Sequence, residues 1–221
     1  PTEGWAKYRL MASIISSEGN LRSFVEALEG EKMIADYRKL YLAMNVPNWV
    51  RPLLVLFLDK RRASLLKTSC SGGISAYEVW QLMADLTEMR RKWADAMKNF
   101  DALVFPALPI PAPPHGTTGE LTASCSYLFI ANLLKWPSGV VPITTVRHDE
   151  AYYDVSELPM DQRDHISRFV SKHVSQGSAG LPIGVSVMAP AYRDETCLRV
   201  MKEVEGLACF SERPQACFNV P

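Results

Sequence analysis

FDALVFPALPIPAPPHG (Phe100–Gly116), SCSYLFIANLL (Ser124–Leu134) and KWPSGVVPITTV (Lys135–Val146) form the stretch whose reading decides the fold. Two short β-branched, apolar runs, Ala102–Phe105 and Val140–Val146, flank a proline-rich loop and one helix-like segment. Apolar runs of this length, bounded by Pro and Gly, predict strands buried on both faces. Pro106, Pro109, Pro111, Pro113 and Pro114 are too many for the loop to continue a helix or a central strand. The residues therefore predict a sheet edge beside a cavity, with a helix-like segment between the two runs.

Working outward, a clean helix lies upstream. Ser75 and Glu78 have the spacing of a capping box, in which hydroxyl and carboxylate satisfy the free amides of the first turn. Val79, Leu82, Met83, Leu86, Trp93 and Met97 then recur at helical spacing to about Asn99, an apolar stripe that reads as core. Glu88, Arg90, Arg91, Lys92, Asp95 and Lys98 read as the solvated face. Before this helix comes SCSGGIS, Ser69–Ser75. No strand precedes it, so it lacks the strand-to-helix elbow of a nucleophilic serine and reads as a loop between helices.

Residues 32–67 carry eight basic side chains against two acidic ones, in a chain whose formal net charge is zero. Tyr37, Tyr41, Trp49 and the run Leu53–Leu58 are interleaved with them, and Pro47 and Pro52 break the pattern. The apolar run is far short of the roughly 20 residues that cross a bilayer. A basic, aromatic-anchored helical pair suits a membrane interface, where anionic lipid adds about 1 kcal/mol per basic residue near the surface. A core helix with solvated Lys and Arg fits the same pattern, and both readings stand on the residues alone. Further upstream, Thr2–Ser17 and Leu21–Glu29 read as packing helices, the second capped by Asn20 and followed by Gly30.

Downstream, Arg147–Ser156 is polar and poorly patterned. Asp161–Gln176 predicts a helix with Ile166, Phe169, Val170 and Val174 inward. Its His165 and His173 lack acidic or cysteine partners at ligand spacing and read as surface or satisfied histidines. Gly180–Pro190 predicts another short buried strand, and Asp194–Leu207 a helix. The order is helices, then strand–loop–helix–strand, then helix–strand–helix, which implies an α/β fold with helices covering a mixed sheet.

With 221 residues, 48% of them hydrophobic, the chain is long enough to bury a sizeable core. Zero net charge argues against a nucleic-acid partner. Five cysteines without a CxxC pair suggest reduced intracellular thiols rather than a zinc or redox site. A phosphate loop, an HExxH helix and a zinc set are all absent from the sequence. His115 with Cys125 or Ser126 is the one nucleophile pairing on offer, and it needs a spatial contact that sequence does not show. The chain begins at Pro1 rather than Met and is expected to be part of a longer protein.

FDALVFPALPIPAPP, WPSGVVPITTV and GLPIGVSVMAPAYRDETCLRVMKEVE, in this order and preceded by SAYEVWQLMADLTEMRRKW, resemble the C-terminal part of the amidase-signature hydrolases, and within them the fatty-acid amide hydrolases. The resemblance runs from about Ser13 to Leu207. It implies an α/β/α amidase-signature fold around a mixed sheet, the whole chain being the C-terminal part of one domain. Within it, 32–67 would form a membrane-cap-like hairpin, and 100–146 and 180–207 the core strands and helices. A lysine–serine–serine triad that attacks amide carbonyls is also implied. Its glycine- and serine-rich signature has no match here, so none of Ser69, Ser71 or Ser75 takes a catalytic role and the chain alone is expected to be inactive.

On the substrate side, PNWVRPLLVLFLDK (Pro47–Lys60) resembles the family's membrane cap, which implies lipid contact by Trp49, Arg51, Leu53, Leu54, Phe57 and Lys60. LTASCSYLF (Leu121–Phe129) resembles the acyl-channel wall and maps Thr122, Cys125 and Phe129 onto it. Tyr192 falls at a tryptophan position near the pocket, and Leu65 and Leu66 at the channel mouth. The resemblance further implies a lipid amide substrate, no cofactor or metal, a homodimer, and an intracellular, endoplasmic-reticulum-like membrane met from its cytoplasmic face. A soluble amidase for small or peptide-like amides, and a non-catalytic lipid-binding relative, are the alternatives.

Overall fold

A computed structural model describes residues 10–15, 17–19, 21–58, 66, 73–152, 154–163 and 165–210. They group into two units, one drawn from residues 1–93 and 119–129, the other from 94–118 and 130–221. The expected Asn20 cap, Leu65, Lys60, Ser69 and Ser71 lie outside the described residues.

The first unit is helical. Residues 10–15 are helical, followed by α1 (Arg22–Ala27), α2 (Ala35–Met44), α3 (Arg51–Val55) and α4 (Ala76–Ala96). Helix α1 is shorter than its apolar stripe suggests. Leu21 stands before it in the left-handed region, φ 49°, with no side-chain cap, so the first turn lacks the hydrogen bond that a capping residue supplies. The rings of Phe24 and Tyr37, centroids 5.3 Å apart, join α1 to α2. Asn45 closes α2 by donating from both its backbone N–H (3.0 Å) and its Nδ2 (2.8 Å) to Tyr41 O.

Helix α4 begins as its sequence dictates. Glu78 Oε2 accepts from Ser75 N–H at 2.8 Å and from Ser75 Oγ at 2.7 Å, and Glu78 N–H donates back to Ser75 Oγ at 3.3 Å. The predicted stripe from Val79 to Met97 is buried or half-buried, with Leu86 and Met97 deepest. Its solvated face carries Glu88–Arg91 and Asp95–Lys98 pairs at 2.8 Å, exposed contacts of little energetic weight. A 3-10 segment, Thr118–Cys125, precedes α5 (Ser126–Leu134), so the helix-like segment quoted from Ser124 becomes α-helical at Ser126.

The second unit is built on a three-stranded sheet of order β1–β3–β2, formed by Leu103–Pro106, Pro182–Met188 and Ser138–Thr145 respectively. Both described pairings are antiparallel, Val104 opposite Val187 and Val140 opposite Ser186 among them. The α/β class therefore holds, and among the described residues the sheet has no parallel pair. The two runs read as strands buried on both faces are instead its flanking strands. Val104 and Val140 are exposed, and burial alternates along β1 and β2. β-Branched residues suit a half-buried pleat as well as a buried one, which is why pattern alone did not separate the cases. The strand shielded on both faces is β3, where Ser186, Val187 and Met188 are fully buried.

Helix α7 (Asp194–Ala208) covers one face of this sheet. Cys197 joins Val187 and Ala189 in the core, with Ala102, Val200, Met201 and Val204 around them. The approach is close because β2 carries a glycine there: a Cβ on Gly139 would stand 2.5 Å from Met201 Sδ. Pro142 offers no N–H to the ladder, and the β2–β3 register shifts between Pro142 and Thr144. Helix α6 (His165–Val170) continues as a π-helical turn, Ser171–Ser175, together covering most of the predicted Asp161–Gln176 helix.

Candidate functional site

Residues 47–57 form the most unusual surface of the first unit. Val50 N–H donates to Pro47 O at 3.0 Å, Leu53 and Leu54 N–H both donate to Val50 O, and Leu56 and Phe57 N–H donate to Leu53 O and Leu54 O. This winding of one α-helix and flanking turns tolerates Pro52, which sits in the first turn where its missing N–H costs nothing. Helical spacing then sets Trp49, Leu53 and Leu56–Phe57 on one side. All of them are exposed, and Leu54 is exposed to a lesser degree. An apolar row left in water by a folded unit marks an interaction surface. Leu56 carries no sequence signal of its own, because a residue inside a continuous apolar run gives no sign of which way it faces.

Arg51 departs from the sequence expectation. The resemblance to a membrane cap implies lipid contact by Arg51, but only 7% of it is exposed. Its Nε donates to Val46 O at 2.8 Å and its Nη1 to Leu66 O at 2.9 Å. The guanidinium thus faces inward, and joins the predicted cap to the predicted channel mouth through the backbone of Leu66. Arg51 sits in the first turn of a one-turn helix whose neighbours Trp49 and Leu53 point outward, so it takes the opposite side.

The predicted channel wall lies on the 3-10 segment and the start of α5. Leu121 and Ser124 are buried, Cys125 and Phe129 are half-buried, and Thr122 occupies the 3-10 segment between them in sequence. Burial pushes the Cys125 thiol up from its ordinary pKa. A raised pKa keeps the thiol in its protonated, less reactive form, since the thiolate is the nucleophile. His115 is exposed in the proline-rich loop. His115 belongs to the second unit and Cys125 to the first.

Tyr192, predicted beside the pocket, is 97% exposed. It lies in the turn between β3 and α7 with φ 64°, in the left-handed region. Within this chain it lines no enclosed surface. Ser75, the described serine of SCSGGIS, spends its hydroxyl on the Glu78 cap. No group of three or more His, Cys, Asp or Glu residues fit to hold a metal occurs among the described residues, and no described helix is long and apolar enough to cross a membrane.

These features find their context in known proteins. The Amidase family model matches residues 11–198. Fatty acid amide hydrolase 1 of Caenorhabditis elegans is 31% identical over 165 residues, covering 72% of this chain and 28% of that protein. Fatty-acid amide hydrolase 1 of Sus scrofa is 29% identical over 215 residues, covering 90% of this chain and 34% of that protein. A solved structure of fatty acid amide hydrolase superposes with a TM-score of 0.49 at 16% identity, covering 88% of this chain and 37% of that one. The chain thus spans about a third of the length of the curated relatives it matches. With a single family model covering it from Met11 to Leu198, the chain belongs to the Amidase family.

Proposed function

We propose that this chain is the substrate-side portion of a membrane-associated serine amidase that hydrolyses fatty-acid amides to fatty acid and amine. It supplies the membrane cap, residues 47–57, and an acyl-channel wall that includes Thr122, Cys125 and Phe129. The Lys–Ser–Ser triad of such an enzyme belongs to sequence outside this chain. The enzyme works as a homodimer on an intracellular membrane of the endoplasmic-reticulum type, and needs no cofactor.

The observation that carries the reading is the exposed apolar row Trp49, Leu53, Leu56 and Phe57 in a chain of this family. Amphipathic rings at a bilayer interface and aliphatic side chains beneath it gain what water denies them. Similarity to two fatty-acid amide hydrolases supports the substrate class. An apolar wall suits an acyl chain, which gains roughly 0.8 kcal/mol for each buried CH2. Half-burial and a protonated thiol at Cys125 fit that wall.

The test uses the full-length protein. Hydrolysis of a long-chain acyl amide in preference to a short-chain one, with covalent labelling by a fluorophosphonate probe, is the expected result. Absence of both overturns the reading and leaves a non-catalytic lipid-binding relative. Turnover of short amides alone assigns a soluble amidase.

A further inference from the structure

Resting on the lipid-facing reading of residues 47–57, we propose that Arg51 is a strut that couples the membrane-contacting turn to the segment at Leu66. One planar guanidinium spans the base of the exposed row. Its Nε holds Val46 O, immediately before Pro47 opens the turn, and its Nη1 holds Leu66 O, beyond the end of the apolar run. Trp49, Leu53, Leu56 and Phe57 therefore project from a backbone closed at both ends by the same side chain. A cation this deeply buried is costly unless its N–H groups are met, and charge-assisted bonds to carbonyls meet them. Arginine suits this role: its rigid planar fork holds donors on separate nitrogens in fixed directions toward the two carbonyls, whereas an ammonium gathers its three donors on one nitrogen at the end of a flexible stem.

Two consequences follow. The apolar row is held ready before it meets lipid, so less ordering is required on binding. Displacement of the row by the bilayer is also transmitted to Leu66, which makes Arg51 a positioning residue rather than a headgroup ligand.

The experiment compares the full chain with Arg51→Lys and Arg51→Gln by sedimentation with phosphatidylcholine vesicles and with phosphatidylcholine–phosphatidylserine vesicles. A strut predicts a loss in partitioning of about tenfold for both variants, on both vesicle types and independent of salt, because a preorganised surface has been lost. Lysine does not rescue. If Arg51→Lys binds like the parent while Arg51→Gln fails on anionic vesicles only, Arg51 is a headgroup contact and the strut is wrong. Hydrogen exchange on the unsubstituted chain gives a second readout, free of any folding defect in the variants. Vesicles are expected to slow exchange around Leu66 as well as in 47–57, and slowing confined to 47–57 overturns the coupling. Leu56→Ala with Phe57→Ala separates the two levels. If that pair releases the protein and the Arg51 variants do not, the strut falls and the lipid-facing surface stands. If neither changes binding, the membrane reading itself falls.

Discussion

The Leu56→Ala, Phe57→Ala pair has a magnitude that follows from the structure. Leu56 is 76% exposed and Phe57 86% exposed, at the end of the winding that begins at Pro47. Neither contributes much to the folded interior, so truncating both leaves the unit's own stability nearly unchanged. Full burial of a Leu or Phe side chain is worth about 1.5–3 kcal/mol. Scaled by these exposures, the two side chains together bring about 3 kcal/mol to a bilayer, most of it lost on truncation to Ala. A loss of that size is about a hundredfold in the partition coefficient. The assay is sedimentation with phosphatidylcholine vesicles across a range of lipid concentration, with thermal unfolding followed in parallel by circular dichroism. Expected is a large fall in partitioning at an unchanged unfolding temperature. Unchanged partitioning refutes the reasoning, because exposed apolar area that gains nothing from lipid is not an interfacial surface. A lowered unfolding temperature refutes it differently, by showing that the row packs against the protein.

Other consequences concern the second unit and the start of α4. A Cβ on Gly184 would stand 2.8 Å from Val140 Cγ1 and 2.9 Å from Val141 O, so Gly184→Ala forces the ladder apart and destabilises by about 1–3 kcal/mol in denaturant titration. Gly206→Ala meets nothing within 4 Å on α7 and is expected to stabilise by about 0.5–1 kcal/mol. Ser186 Oγ is fully buried with no hydrogen-bond partner among the described residues, so Ser186→Ala is expected to stabilise by about 1 kcal/mol in the same titration, since an unmet buried hydroxyl is removed. Ser75→Ala removes the hydroxyl bond that does most to hold the Glu78 carboxyl below the usual carboxylate range, and the Glu78 N–H bond to that hydroxyl, while the Ser75 backbone N–H bond stays; it lowers the unfolding temperature by a few degrees at neutral pH. Because Glu78's folded pKa is depressed, its contribution is present above the unfolded value, about 4.3, and is lost as pH falls through the folded one. The gap between the parent and Ser75→Ala should narrow over that acid range to the share carried by the Glu78 N–H cap bond, which does not titrate; a gap of unchanged size below it refutes the linkage.

Local signals carried far where they were chemical and short in range. The Ser75–Glu78 box, the stripe from Val79 to Met97 and the helix beginning at Asp194 were legible because capping and helical period act within a few residues. The three strands were legible as runs, and the α/β class followed from their order. Their pairing was not. Which of three similar β-branched runs lies in the middle depends on partners far away in sequence, and only the fold put β3 between β1 and β2 and left Val104 and Val140 exposed.

For the candidate site the division is sharper. The sequence by itself determined that residues 47–57 are apolar, aromatic and proline-broken, and it left open whether that face meets core or lipid. Within this chain the tertiary structure leaves Trp49, Leu53, Leu56 and Phe57 out of the core, since exposure depends on what packs against a helix and not on its own residues. It also turned Arg51 inward onto Val46 O and Leu66 O, because the guanidinium's acceptors are backbone carbonyls supplied from outside the helix itself.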